Sequence, residues 1–294
     1  MKIGITGATG FIGPKVIELA ARSGHEMIGF TRDPRHPIPG CIETRKFSPD
    51  EKVNLDGCEA IIHLAGEPVA GIWTQEKRRK ILESRTLGTR RITDAIKTSS
   101  NPPRVLVSSS AIGFYGNTGE SEVDEDSPHG SGFLSEVCQA WEAEALRAKS
   151  DHTRVVLLRT SLVLGREGGA LRLMLPIFRC SLGGKLGSGR QWMAWIHIDD
   201  EAALTLFATE NDRIEGPLNA VAPNPCRNAD FTKDLAHAVH RPAFFRTPAF
   251  LLKTVLGGFS HELLDSRRIL PKRAPAAGFK YCFQTLDAAF SDLI

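Results

Sequence analysis

The sequence predicts an α/β protein, a doubly wound parallel sheet carrying a smaller C-terminal cap. Three observations lead there. Short runs rich in Val, Ile and Leu alternate with stretches of helical period through residues 1–160. A glycine-rich turn, Gly7-Ala8-Thr9-Gly10-Phe11-Ile12-Gly13, joins the first apolar run to the first helical stretch. After Gly165 the texture changes to a chain punctuated by Gly168-Gly169, Gly183-Gly184, Gly187 and Gly189.

The elements follow in order. Residues 2–6 read as a buried strand, and 11–22 as the helix that the glycine turn opens. Gly24-His25 ends that helix and turns the chain into a second strand, 26–30. Further strands are expected at 60–64, 104–108 and 154–159, with helices at 75–97 and 134–149 between them. Apolar runs of this kind fit a parallel sheet covered on both faces. A helix is expected at 201–210, and residues beyond Ala229 read as helical, with loops broken by Pro242, Pro248, Pro271 and Pro275. The expected division is a dinucleotide-binding domain at 1–160 and 201–222, and a substrate-binding cap at 161–200 and 223–294.

Composition bounds the function classes. The 294 residues suffice for one large domain or two modest ones, at roughly 150 residues per domain. A formal charge of +3 is too near neutral to argue for nucleic acid or an anionic membrane as the main partner. At 41% hydrophobic and 24% charged residues, the chain has a core and is not disordered. The six cysteines are scattered with no C-x-x-C pair, which points to a reduced compartment. The chain reaches its glycine motif by Gly7, leaving no room for a hydrophobic signal region, so a cytoplasmic protein is expected. The most apolar late stretch, 249–259, is interrupted by Lys253 and too short to span a bilayer.

The glycine turn carries the strongest chemistry. Gly7 permits the tight turn, Gly10 lets backbone N–H groups approach a pyrophosphate, and Gly13 allows helix to pack on strand. At the end of the second strand, Thr31 stands where an NAD site usually places an acid for the ribose 2′-hydroxyl. Arg32 follows it and can pair with the 2′-phosphate of NADP, although Asp33 comes next. NADP(H) is the expected cofactor.

The chain resembles the extended short-chain dehydrogenase/reductases, and within them an atypical branch of epimerase/dehydratase-like proteins. Beside the glycine turn, the resemblance rests on His63-Leu64-Ala65-Gly66, Ser108-Ser109-Ser110 before Tyr115-Gly116, and Trp195-Ile196-His197-Ile198-Asp199-Asp200. Lys80-Ile81-Leu82-Glu83-Ser84-Arg85, Trp141-Glu142 and Gly187-Ser188-Gly189 carry the branch. It implies a Rossmann-type sheet with the cofactor across its strand-order switch point. Gly7, Thr9, Gly10, Phe11, Ile12, Gly13, Thr31, Arg32, Leu64, Ala65 and Arg85 are then the expected cofactor contacts. A homodimer through the long helices is also part of the resemblance.

The resemblance breaks at the catalytic pair. The superfamily uses Ser, Tyr and Lys, with Tyr-x-x-x-Lys placing Tyr and Lys on one helical face. There the Lys charge lowers the phenol pKa. Ser110 matches the serine, but by alignment Phe133 and Val137 replace Tyr and Lys. The chain has only two tyrosines, Tyr115 and Tyr281. Their fourth following residues are Gly119 and Thr285, so no register supplies the pair.

Tyr115, Glu136 and His197 are the candidate substitutes, and Ser110 and Tyr115 the expected catalytic residues. Arg159, Arg166, Lys185 and Arg190 offer cations for a small anionic, nucleotide-sugar-like substrate, and Trp192 and Trp195 offer stacking surfaces. His237 and His240 lack a carboxylate at ligand spacing, so no metal is expected. Two functions compete: an NADP(H)-dependent epimerase or oxidoreductase with a degenerate triad, and a non-catalytic NADP(H)-binding sensor or scaffold.

Overall fold

The computed structural model describes residues 1–48 and 51–294. The first half runs β1 (Lys2–Thr6), α1 (Gly13–Arg22), β2 (Glu26–Thr31), β3 (Glu43–Lys46), β4 (Ala60–His63), α2 (Gln75–Thr98), β5 (Val105–Ala111), β6 (Glu122–Val123), α3 (Phe133–Leu146) and β7 (Arg154–Thr160). Next come β8 (Leu162–Leu164), α4 (Gly169–Arg179), β9 (Gly184–Leu186), β10 (Trp192–Met193), β11 (Trp195–His197), α5 (Ile198–Glu210) and β12 (Gly216–Ala220). The chain ends with β13 (Cys226–Arg227), α6 (Asn228–Ala238), β14 (Phe245–Thr247), α7 (Ala249–Leu256), α8 (Ser260–Leu264), β15 (Arg268–Ile269), α9 (Arg273–Ala276) and α10 (Leu286–Leu293).

Seven parallel strands form one sheet in the order β12-β7-β5-β4-β1-β2-β3. The chain moves outward from β1 to β3 on one side and returns at β4 on the other. The strand order therefore switches between β1 and β4, where a crevice opens outside the carboxyl ends of the strands. Register brings Thr6 beside both Phe30 and His63, His63 beside Ser108, and Ser110 beside Arg159.

Alternating side chains fill the two sides. Ile3, Ile5, Ile62, Val107 and Leu158 bury against Val16 and Ile17 of α1 and Ala202 and Leu206 of α5. Ile28, Ile61, Leu106 and Leu157 face the opposite layer, where Ile92 and Ile96 of α2 and Ala145 of α3 pack. Each such aliphatic side chain stabilises the fold by roughly 1.5–3 kcal/mol on burial. A third cluster, with Leu171, Leu175 and Phe178 of α4, Trp195, Phe231 of α6 and Phe290 of α10, is the core of the later half.

Two strands of the sheet lie outside the sequence expectation. β3 reads Glu-Thr-Arg-Lys, a charged edge strand with no hydrophobic run to mark it. β12 begins Gly216-Pro217, residues that ordinarily argue against a strand, and it survives because it is the other edge. The segment after Gly165 also holds the regular helix α4, which contains Pro176. Among the described residues, no helix is long and apolar enough to cross a membrane.

Candidate functional site

The glycine turn fills the crevice floor by close approach. Gly7 has φ +68°, and a Cβ on it would lie 2.9 Å from the Leu64 carbonyl carbon. A Cβ on Gly13 would lie 2.4 Å from the Gly7 oxygen and 2.8 Å from the Ala8 Cα. Both contacts are with backbone, so neither position accepts a side chain without moving the turn. Gly10 and Thr9 are exposed at the crevice, and Gly10 N donates to Gly7 O at 2.9 Å. Pro14 occupies the start of α1, whose N-cap Ile12 supplies no side-chain cap and whose first turn carries no acid. The helix start thus presents N–H groups and a positive dipole end to an incoming anion. The Phe11 ring packs against Gly165, Gly168 and Gly169, and a Cβ on Gly168 would come within 2.3 Å of it.

At the end of β2, Thr31 is half-buried and Arg32 exposed. Asp33 is occupied by Arg35 in a two-point pair, Nε to Oδ1 at 2.7 Å and Nη2 to Oδ2 at 2.6 Å. That guanidinium holds the Asp33 carboxyl below its ordinary range. The acid that weakened the sequence argument is therefore neutralised in place. Arg32 has no carboxylate partner among the described residues.

Across the switch point, Ala65 N donates to Thr6 Oγ1 at 3.3 Å, and Thr6 Oγ1 meets His63 Nδ1 at 2.7 Å. Burial pushes the His63 pKa down to about 4, so the imidazole is neutral at physiological pH. Arg85 reaches from α2 beneath this loop, donating to Glu67 O at 2.9 Å and Ile81 O at 3.1 Å. Its guanidinium lies 5.0 Å from the Trp141 ring centre and 3.5 Å from where a Gly66 Cβ would be. Arg85 supports the Leu64–Glu67 loop from below.

Ser110 and Tyr115 belong to one buried polar chain. Ser110 Oγ donates to Glu142 Oε1 at 2.6 Å. Glu142 receives Arg159 through Nε at 2.8 Å and Nη2 at 2.9 Å. Arg159 Nη1 donates to Tyr115 Oη at 2.8 Å, and that hydroxyl donates to Asn219 Oδ1 at 2.7 Å. Asn219 N continues to Glu125 Oε1 at 3.1 Å. Every one of these side chains is buried. Burial pushes the Tyr115 pKa up to about 12 despite the Arg159 charge. Arg159, expected among the substrate cations, is instead 3% exposed and spent on Glu142 and Tyr115. Glu142 was legible only as part of a motif; its partner Ser110 lies 32 residues earlier, beyond any local pattern.

Phe133 opens α3 and lines a cleft of about 390 Å³ with Trp73, Arg78, Leu134, His261 and Arg267. Its ring meets Trp73 edge-on at 5.1 Å, and the Arg78 guanidinium sits 5.1 Å from its centre. Arg78 has no carboxylate partner among the described residues, whereas Arg267 is committed to Glu262 at 2.6 Å. In sequence Arg78 is one of four consecutive cations, Lys77-Arg78-Arg79-Lys80, at the start of α2. Val137, one turn on, is 2% exposed, so a lysine there would be desolvated.

The remaining candidates fall outside this cluster. Glu136 is exposed on α3. Trp195 is core, and Trp192 carries Arg227 at 4.0 Å from its ring centre. Arg166 is bound to the carbonyls of Asp292 and Leu293. His197 is fully buried and stacks on Phe283 at 3.7 Å. It lies with Asp199 and Asp292 in a spacing that a metal could bridge. However, its Nδ1 accepts the Asp199 backbone N–H at 3.1 Å, which puts the proton of the neutral ring on Nε2, facing Asp292 Oδ2 at 3.3 Å. A protonated Nε2 has no lone pair for a metal. The trio is a helix cap and a histidine–carboxylate contact.

The comparisons with known proteins agree with this fold. A family model described as the NAD dependent epimerase/dehydratase family matches residues 3–220, and a second, a domain of unknown function (DUF1731), matches 247–293. Epimerase family protein SDR39U1 of Mus musculus is 37% identical over 299 residues, covering 100% of both chains. Epimerase family protein YfhF of Bacillus subtilis is 35% identical over 300 residues, covering 100% of this chain and 98% of its own. The crystal structure of human SDR39U1 (isoform 2) with NADPH superposes with a TM-score of 0.92 at 35% identity, covering 100% of this chain and 99% of that one. A nucleoside-diphosphate sugar epimerase from Corynebacterium glutamicum gives 0.82 at 32% identity, covering 99% of this chain and 57% of that one. With its parallel Rossmann-like sheet, its glycine turn and the match over residues 3–220, the chain belongs to the NAD dependent epimerase/dehydratase family.

Proposed function

We propose that this protein binds NADP(H) and acts as an oxidoreductase or epimerase on a small anionic, nucleotide-sugar-like substrate, without the usual tyrosine–lysine pair. The observation that carries the cofactor choice is the end of β2, where Arg32 pairs with no carboxylate among the described residues and Asp33 is clamped by Arg35. The NADPH in the human relative supports the same choice. Gly7, Thr9, Gly10, Phe11, Ile12 and Gly13 would hold the pyrophosphate, Thr31 and Arg32 the 2′-phosphorylated ribose, and Leu64 and Ala65 the opposite side of the crevice. Arg85 would support that side rather than reach far into it. The bound cofactor supplies hydride transfer.

Ser110 polarises the substrate oxygen in this reading. A substrate hydroxyl on Ser110 Oγ passes its proton to that oxygen as the serine proton moves to Glu142 Oε1, 2.6 Å away. Tyr115, through Arg159, holds Glu142 in place. Arg78 at the aromatic cleft is the cation for the substrate anion. All six cysteines are free, which fits a reduced cytoplasmic setting. Exposed Leu82, Leu87 and Leu146 on α2 and α3 suit a homodimer through those helices.

Phe133 and Val137 favour the second reading, a non-catalytic NADP(H) sensor, because neither can exchange a proton. One experiment divides the two: identify the co-purified cofactor by mass spectrometry, then follow NADPH absorbance and epimerised product across carbonyl and nucleotide-sugar panels. Turnover that disappears in Ser110→Ala supports the enzyme. Tight NADPH binding with no turnover on any panel supports the sensor.

A further inference from the structure

The later half carries an apolar face that no other described part of the chain covers. In α7, sequence Ala-Phe-Leu-Leu-Lys-Thr-Val-Leu, only Leu252 is buried, and Phe250 is 72% exposed. A helix this apolar is ordinarily enclosed on most sides. Phe244, just before β14, is 88% exposed. On α4, Leu171, Leu175 and Phe178 enter the core while Leu173 and Ile177 point outward on the other side.

These pieces adjoin. β14 pairs with β9, setting Phe245 beside Gly184. Arg241 Nε donates to Arg179 O at 3.3 Å, drawing the segment before β14 against the end of α4. Leu182, also exposed, donates its N–H to Ile177 O. Of the thirteen exposed large hydrophobic residues among the described residues, eight lie on this part of the chain: Leu173, Ile177, Leu182, Phe244, Phe245, Phe250, Leu251 and Val255.

Charge identifies what covers it. Residues 168–198 and 235–261, which supply this face, contain no Asp or Glu. They contain Arg172, Arg179, Lys185 and Arg190, then Arg241, Arg246 and Lys253. Removing these seven from the 37 Lys and Arg leaves 30 cations against 34 acids, so the chain's positive excess resides here. Among the described residues none of the seven pairs with a carboxylate. The near-neutral total hides this asymmetry. A second copy meeting the same face would oppose cation to cation, and a nucleic acid would leave Phe244 and Phe250 in water.

We propose that the face formed by α4, β14 and α7 docks on an anionic lipid bilayer surface, its phenylalanines entering the headgroup boundary and its cations resting on the phosphates. The test uses the full chain in sedimentation with vesicles of phosphatidylcholine alone or with about 30% phosphatidylglycerol. Binding is expected only with the anionic lipid, weakening as salt rises. The double substitution Phe244→Ser with Phe250→Ser should reduce it at least tenfold, and Arg241→Glu with Arg246→Glu should abolish it. The sites are exposed, so unchanged circular dichroism and melting show that the variants fold. Equal binding to both vesicle types, or no binding to either, overturns the proposal. So does a vesicle-free dimer that the phenylalanine variant converts to monomer, because a second copy would then occupy the face.

Discussion

Replacing Arg32 with alanine isolates the cofactor-selecting contact. The side chain is exposed at the end of β2 and pairs with no carboxylate among the described residues, so its loss should change folding stability by less than about 0.5 kcal/mol. A charge-assisted hydrogen bond to a phosphate contributes roughly 1.5–3 kcal/mol. That corresponds to NADPH binding weakened by about 10- to 150-fold, with NADH binding nearly unchanged because NADH lacks the 2′-phosphate. Fluorescence titration of both cofactors against wild type and variant measures the two constants directly. Arg35→Ala supplies a signed control. It releases Asp33 from its two-point clamp, so NADPH should weaken and NADH should improve. Equal losses for both cofactors in Arg32→Ala, or an NADPH loss below threefold, would refute the reasoning.

Glu201 is fully buried on α5, receives Thr160 Oγ1 at 2.8 Å, and has its pKa pushed up to about 8 by burial. An unfolded Glu ionises near 4.3, so the folded state holds the extra proton between there and about pH 8. The stability this protonation gives is complete at acid pH and lost at up to roughly 1.4 kcal/mol per pH unit as pH rises through that window. Urea unfolding from pH 5 to 8 should show the decline in wild type and not in Glu201→Gln. Glu142→Ala strands the Arg159 charge in the core, so chemical denaturation should register a loss of about 3–5 kcal/mol. Ser110→Ala should lose only about 0.5–1.5 kcal/mol, since Arg159 still satisfies the carboxylate. Gly13→Ala drives a Cβ into the Gly7 carbonyl and should abolish measurable NADPH binding while lowering stability by about 1–3 kcal/mol.

The parts of this molecule that were legible in its sequence are those encoded locally. The glycine turn declares itself because strand, turn and helix occupy neighbouring residues and each has a steric reason for its type. Buried central strands declare themselves by unbroken aliphatic runs. β3 and β12 escape because edge strands need little hydrophobicity, and their polar and Gly-Pro sequences resemble loops. Arg159 shows the limit at the site. Its charge suggests an outward-facing substrate contact, but the sheet brings it beside Ser110 and under α3, where Glu142 awaits it. Asp33 shows the reverse: the sequence raises an objection that a side chain two residues away removes.

The Glu125 carboxylate has a consequence for how the cleft can move. It accepts N–H groups from Asn219 at the sheet edge and from Lys272 and Arg273 beyond β15. Asn219 Nδ2 adds a bond to Leu270 O, and Asp126 pairs with both Lys272 and Arg273. Segment 268–273 is thereby riveted to the sheet, and separating them would strand a buried acid. α7, held by Leu252 as its one buried side chain, has no comparable anchor among the described residues. The molecule thus has a fixed jaw and a loose one. Gly258 and His261 line the Phe133 cleft just beyond α7, so amide hydrogen exchange is expected to be faster on α7 than on segment 268–273.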